Sequence, residues 1–440
     1  MKKFLLTSLL SLSTVSLSQA ALFSLSGNHR FGTNWFYNLD TIDGKNTGAS
    51  DSTSYLEHRL IVRPDIIIDE RFSIRSELSL ISQNSFDTVG GAANQPGNVN
   101  QAGGAALDTS AGSSGSKAQN LLVRAAYLKW NSDIGVFKAG RMHKGWGLGL
   151  MYDEGMGVED DSATIVDRMS FEGQLGSLVL TAAFEKYEEG SIYQDIDDEE
   201  VYEGSVRYEN EGAGAYIGLL YGRHIRLADS ASKVAGYSSS NEFSIFGKKE
   251  WTTFSVGGEF ASVAYDSQSD VYGALAKMRW TPGNWELEAD GLYSSESNGR
   301  AFLVNPNYRP FLILFRQSLG TNVGAASGTR YGRGIGFDPS ASVAAETGAA
   351  LGRVGFFYNF SQKKYRLGLV GGYAQMLNAN ASNSKNLGYE ADIHFDQKWY
   401  DNFKTSFVIG ALKTGDAFKQ AGKGGPEVAW GTQIRSYLSF

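Results

Sequence analysis

Leu387-Gly388-Tyr389-Glu390-Ala391-Asp392-Ile393-His394-Phe395-Asp396 is the stretch on which the fold turns. Leu387, Tyr389, Ala391, Ile393 and Phe395 share one parity, and Gly388, Glu390, Asp392, His394 and Asp396 share the other. Successive side chains of a strand point to opposite faces. One face is therefore apolar and the other acidic, as in a strand between hydrocarbon and water. A helix would scatter these acids around its axis.

The same pattern recurs along the chain. Trp285, Leu287, Ala289 and Tyr293 oppose Glu286, Glu288 and Asp290; Tyr272, Ala274, Ala276, Met278 and Trp280 oppose Lys277 and Arg279. Phe23, Leu25, Phe31, Trp35 and Tyr37 oppose Ser24, Ser26, Asn28, Arg30 and Asn34, with His29 breaking the apolar face. Strands are predicted near 22–37, 54–65, 71–84, 120–131, 134–141, 166–174, 177–188, 200–210, 214–225, 241–249, 252–266, 270–281, 285–296, 352–360, 365–377, 387–400, 403–413 and 427–440. Every second connection is tight and carries turn residues, such as Asn131-Ser132-Asp133, Leu175-Gly176 and Pro282-Gly283-Asn284. The others are longer, apart from Asp266 to Asp270. A soluble β-sandwich also alternates. Aromatics at strand ends (Trp35, Phe36 and Tyr37; Trp280 and Trp285; Trp399 and Tyr400) and the long–short rhythm favour an all-β transmembrane, antiparallel up-and-down barrel. It should have about 18 strands, within a range of 16–18.

The ends agree. Lys2 and Lys3, an apolar core from Phe4 to Leu17, and Ser18-Gln19-Ala20 read as a secretory signal cleaved after Ala20. Residues 21–440 should then form one barrel domain in a Gram-negative outer membrane. No stretch is apolar enough for a membrane-spanning helix. A membrane span must therefore be a closed barrel, because hydrocarbon leaves no partner for a free N–H or C=O. The chain has no Cys, which excludes disulfides and thiolate metal sites. A net charge of −7 argues against nucleic acid. No cofactor or metal is expected: the five His residues show no ligand spacing. An enzyme is not expected either, since His143 or His224 with Asp153, Asp160 or Asp229 has no fixed geometry in sequence. The acidic run Asp195 to Glu200 reads as a solvated loop before a calcium or lipopolysaccharide bridge.

Phe440 ends the chain, with Leu438, Ile434 and Trp430 on its parity and Ser436 interrupting. This resembles the terminal signal that the barrel assembly machinery recognises. Gly140-Arg141-Met142-His143-Lys144-Gly145-Trp146-Gly147-Leu148-Gly149-Leu150-Met151, with Asn305-Pro306-Asn307-Tyr308, resembles uncharacterised outer-membrane proteins. The strand count and charged interior are distantly similar to alginate-export-type barrels. That resemblance implies a porin-like fold.

A barrel this wide leaves an aqueous channel. The expectation is passive diffusion of small polar solutes or ions. The alternatives are an export channel for an anionic polysaccharide and an adhesion or structural barrel plugged by its own loops. Candidate lumen residues are Arg59, Arg63, Arg75, Glu77, Arg124, Lys277, Arg279, Glu286, Glu288, Asp290, Glu390 and Asp392. Arg141, Lys144, Asp160, Asp161, Asp167 and Arg168 are expected as a charged cluster at one mouth, either a charge filter or a loop anchor. The 90–117 stretch should be a surface loop, and the apolar run Tyr308 to Phe315 should fold over or into the mouth. Expected partners are outer-membrane lipid and lipopolysaccharide, the assembly machinery and small solutes, with a homo-oligomer possible in principle.

Overall fold

The structure is a computed structural model that describes residues 21–38, 52–84, 122–160, 163–188, 199–226, 239–266, 269–298, 300–305, 307–315, 348–378, 384–418 and 428–440. The strands are β1 (Leu22–Tyr37), β2 (Ser52–Ile67), β3 (Phe72–Asn84), β4 (Leu122–Ser132), β5 (Gly135–His143), β6 (Ile165–Leu175) and β7 (Leu178–Glu188). They continue as β8 (Glu199–Asn210), β9 (Ala215–Arg226), β10 (Ser240–Glu250), β11 (Phe254–Tyr265), β12 (Val271–Trp280) and β13 (Trp285–Ser294). A two-residue ladder, β14 (Glu296–Ser297) with β15 (Arg300–Ala301), stands apart. Then come β16 (Ala349–Phe360), β17 (Tyr365–Met376), β18 (Asn386–Tyr400), β19 (Phe403–Thr414) and β20 (Val428–Ser439).

Eighteen of these strands form one antiparallel sheet, and β1 pairs with both β2 and β20, so the sheet closes and has no edge. All eighteen expected strands are present, with ends shifted by a few residues. Tight turns form where the sequence marks them; Gly176 (φ +60°) and Gly283 (φ +63°) take the left-handed conformation that a side chain would resist.

The outer face is apolar and exposed, for example Leu180, Leu219, Leu369 and Ile393. Aromatics band it at both ends. Phe72, Trp130, Phe137 and Phe171 run along the turn end at successive centroid distances of 5.8, 5.1 and 4.7 Å. At the loop end Tyr272 stacks on Tyr293 (5.7 Å) and Tyr373 packs on Tyr389 (4.7 Å).

Two assignments need correction. Leu387 was expected with Tyr389 on the lipid face, but it lies inside, fully buried, because the register of β17 and β18 shifts beside Gly388 (φ +123°). That bulge reverses parity for one residue. Phe36, expected in the aromatic band with Trp35 and Tyr37, also points inward and is 2% exposed. Both join an apolar cluster inside the barrel, towards the loop end, with Leu275, Leu292, Met376, Leu412 and Phe302. Its centre is Phe311 to Phe315, the run expected to fold into the mouth.

Candidate functional site

The lumen is shaped by two segments that leave the wall and enter it. The first follows β5. The chain turns inward at Lys144, whose ammonium sits between Glu185 (2.9 Å) and Glu203 (2.7 Å); Arg168 bridges the same two carboxylates at 2.8 Å each. Glycines then let the backbone press against the far wall. A Cβ on Gly147 (φ +60°) would lie 2.6 Å from Glu259 Oε2. That same oxygen accepts hydrogen bonds from Leu148 N (2.6 Å) and Leu150 N (3.2 Å). Trp146 Nε1 donates to Ser244 Oγ (2.9 Å), Tyr152 donates to Glu242, and Lys277 Nζ donates to the Leu148 carbonyl (2.9 Å). Further on, the Glu159 carbonyl accepts from Arg30 Nη1 (3.0 Å) and its carboxylate pairs with Lys404. Residues 144–160 therefore cross the lumen as a strap, from β5 past β10 to β12 and on to β1 and β19.

The second segment, residues 302–305 and 307–315, is tied to that strap. Asn305 N donates to the Leu150 carbonyl (2.9 Å) and Asn307 Nδ2 to Asp153 Oδ1 (2.9 Å). Its apolar end docks on β18, where Ile313 N and Leu314 N donate to the two oxygens of Glu390 (2.6 and 2.7 Å) and Leu312 N to Asp392 Oδ2 (3.1 Å). The pair of wall carboxylates thus satisfies the donors of a run with no strand partner. Gly410 on the neighbouring β19 leaves room for the fit: a Cβ there would meet Asp392 Oδ1 and, at 3.1 Å, Leu312 Cδ2.

Below the strap, at the turn end, lies a cavity of about 1130 Å³ lined by charged side chains such as Arg279, Glu286, Lys364, Arg366, Asp396 and Lys398. A second cavity of about 920 Å³ adjoins it, sharing Glu250, Ser255 and Arg279, and is bounded above by Trp146, Tyr152 and Asp153. On this wall Arg353 joins Asp290 (2.6 Å) and Glu288 (3.1 Å), and Arg366 joins Glu286 (3.3 Å) and Asp396 (3.3 Å). Arg279 pairs with Glu286.

The opposite wall carries arginines. Glu57 binds Arg435 Nη2 at 2.7 Å and lies 3.7 Å from Arg30; Glu77 binds Arg63 (2.6 Å), Arg124 (3.2 Å) and His143 (3.3 Å). Arg75 pairs with Asp65 nearer the turn end. Arg59, which pairs across the ladder with Arg30, makes no ion pair among the described residues. Asp160 reaches this wall from the strap; its Oδ2 accepts from Gly157 N (2.6 Å), and burial, then Asp153, pushes its carboxyl above the usual range.

The expected mouth cluster is thereby divided. Lys144 and Arg168 lie inside the β6 to β8 wall, and Asp160 faces the arginine wall. Arg141 and Asp167 are a correction: they lie on the parity of Ala139 and Met169, so their bidentate pair (2.8 and 2.7 Å) is on the outer face. Asp161, the 90–117 stretch and the acidic run up to residue 198 lie outside the described residues. His224 pairs with Glu242 at 2.7 Å, away from Asp160, and Asp229 is outside the described residues. Glu185, Glu203, Glu259, Arg353 and Arg435 were not singled out beforehand as site residues, although alternation alone puts each of them inside; Glu57 was expected among the lumen acids and lies there. Among the described residues no group of three metal-ligating side chains gathers.

These features define a porin-like fold: a closed antiparallel barrel of outer-membrane type, with segments folded into a charged lumen. Solved structures share it. The outer membrane protein OpdK from Pseudomonas aeruginosa overlays with a TM-score of 0.52 at 10% identity, covering 95% of this chain and 99% of that one. OccK10 (OpdN) of the same organism gives 0.51 at 9% identity, over 94% and 99%. At this identity the likeness speaks for architecture alone. No protein-family model and no curated protein matches the sequence.

Proposed function

We propose that this protein is an outer-membrane channel through which small hydrophilic solutes or ions diffuse passively. The observation that carries the reading is the charge-lined cavity of about 1130 Å³ opening at the turn end beneath a strap held by hydrogen bonds and ion pairs. Barrels of this strand number have room for water inside, and rows of opposed Arg and Glu side chains are a lining suited to polar solutes. The strap and the second segment set the narrowest part, so solutes must be small. This disfavours the export of a thick polymer. In this reading the tight turns face the periplasm, Phe440 marks the chain for barrel assembly, and the outer bands meet lipid and lipopolysaccharide.

A second reading is favoured by one observation: Phe311 to Phe315 lie at 0–3% exposure inside the barrel, as a plug would. Swelling of proteoliposomes in neutral sugars of increasing size separates the two. The channel reading expects uptake that falls steeply with sugar size. No uptake of even the smallest sugar by correctly folded protein would leave the plugged barrel.

A further inference from the structure

Two of the chain's five histidines stand on the outer wall. His143 pairs with Glu77 and His224 with Glu242 on the inner side, and His394 packs against the buried ring of Phe357 at 5.9 Å. His29 and His58 have the opposite parity. On β1 His29 lies midway between Phe23 and Trp35, both exposed, and so at the middle of the span. His58 stands beside it on β2, next to the exposed Leu56. The two rings meet edge to face at 4.7 Å with their Nε2 atoms 2.5 Å apart, and Phe31 leans on His58 at 6.1 Å. Elsewhere the outer face is apolar at mid-span, as at Leu180, Leu219, Leu369 and Ile393. Here the polar positions continue onto neighbouring strands. Thr33 of β1, Ser436 of β20 and Thr405 of β19 share the outward parity; Ser436 is the ladder partner of Phe31, and its hydroxyl is 3.3 Å from that of Thr405.

A neutral imidazole has one donor and one acceptor nitrogen. The contact between the Nε2 atoms uses one of each. One donor and one acceptor, the two Nδ1 atoms, are left without a partner among the described residues. Acyl chains supply neither, so polar groups at this level call for a protein surface against them. Their chemistry says which. Hydroxyls and neutral imidazoles both donate and accept, and they carry no charge, so a face built from them is complementary to itself. Copies inserted in the same direction are related by an axis along the membrane normal, which brings two such faces together at one height.

We propose that the outer face of β19, β20, β1 and β2, centred on His29 and His58, is the contact surface for a second copy of this chain. The proposal does not depend on whether the lumen conducts.

The test weighs full-length protein, folded in detergent, by light scattering with the detergent subtracted. The wild type should have a multiple of the single-chain mass. A double variant, His29→Leu with His58→Leu, offers lipid an apolar wall, so it should keep the compact gel form while its association weakens about tenfold or more. A wild type of single-chain mass overturns the proposal, and so does a folded double variant that associates as tightly as the wild type. Placement is read in isolated outer membranes with single cysteines in this Cys-free chain and a flexible bifunctional maleimide. Thr33→Cys should be linked into dimers. Leu219→Cys, on β9 across the barrel, should not. Dimers from Leu219→Cys alone would place the contact on another face and overturn the proposal. Linkage of Thr33→Cys to a different chain would assign the face to another protein, which also overturns it. This second measurement decides the matter even if the double variant fails to fold.

Discussion

Replacing Glu390 with Ala tests how the inner segment is held. In the structure Glu390 accepts from Ile313 N and Leu314 N, both deep in the barrel. Its loss strands two buried donors, each costing about 1–3 kcal/mol, so the docked state should weaken by about 2–6 kcal/mol. Against this stands the burial of Phe311, Leu312, Ile313, Leu314 and Phe315, each at most 3% exposed. At about 1.5–3 kcal/mol per side chain, burial exceeds the lost bonds. The segment should therefore stay docked and merely open more often, by about thirtyfold or more for a loss of about 2 kcal/mol upwards. The chain has no Cys, so one cysteine placed at Ile313 reports opening through its reaction with a small water-soluble thiol reagent. Labelling should be slow with Glu390 present and about thirtyfold faster in the Glu390→Ala variant. Equal rates would refute the reasoning and show that apolar packing alone holds the run.

Parity gives a second prediction: Ile393→Arg should cost about 2–4 kcal/mol and reduce assembly, whereas His394→Arg should fold and make conductance less cation-favouring. A cysteine at Asp396 should label from the turn end, while one at Phe395 should not. Lys144→Met leaves Glu185 and Glu203 with Arg168 alone and should cost about 3–5 kcal/mol, seen as a lower temperature for loss of the compact gel form; an unchanged temperature would mean that the strap is anchored elsewhere. Asp160 is held above the ordinary aspartate value, so the folded protein binds its proton more readily than the unfolded chain. Its contribution is then most stabilising below the ordinary value and is lost as pH rises towards its folded value. Asp160→Asn should flatten stability across that acidic window, and an unaltered slope would contradict the assignment. Deleting Phe440 should slow assembly and expose the chain to periplasmic degradation; normal surface levels would show the terminal resemblance to be accidental.

The barrel was legible because two local signals coincide at each strand: alternation sets the faces and turn chemistry sets the ends. What alternation could not supply was anything decided across the lumen. Leu387 escaped because a bulge at Gly388 breaks the count by one residue. Phe36 reads as girdle until the apolar cluster inside gives it a reason to turn inward. Glu390 and Asp392 read as lumen charges; their role in holding Leu312, Ile313 and Leu314 joins residues 76 to 80 positions apart, and no pattern in either stretch encodes it. Arg141 and Asp167 sit beside a glycine-rich run that suggested one mouth cluster, yet plain parity from Ala139 and Met169 would have put both outside. Arg59 was legible as inward-facing, but its lack of a partner follows from how its neighbours share Glu57 and Glu77.

The central claim is that the lumen conducts. Single-channel recording of the purified, heat-modifiable protein in planar bilayers tests it most directly. Discrete, reproducible conductance steps are expected, small for a barrel of this width because the strap and the inner segment narrow it, with more frequent excursions to a larger level when Glu390 is replaced by Ala. Correctly folded protein that inserts and gives no steps, with or without Glu390, would contradict it.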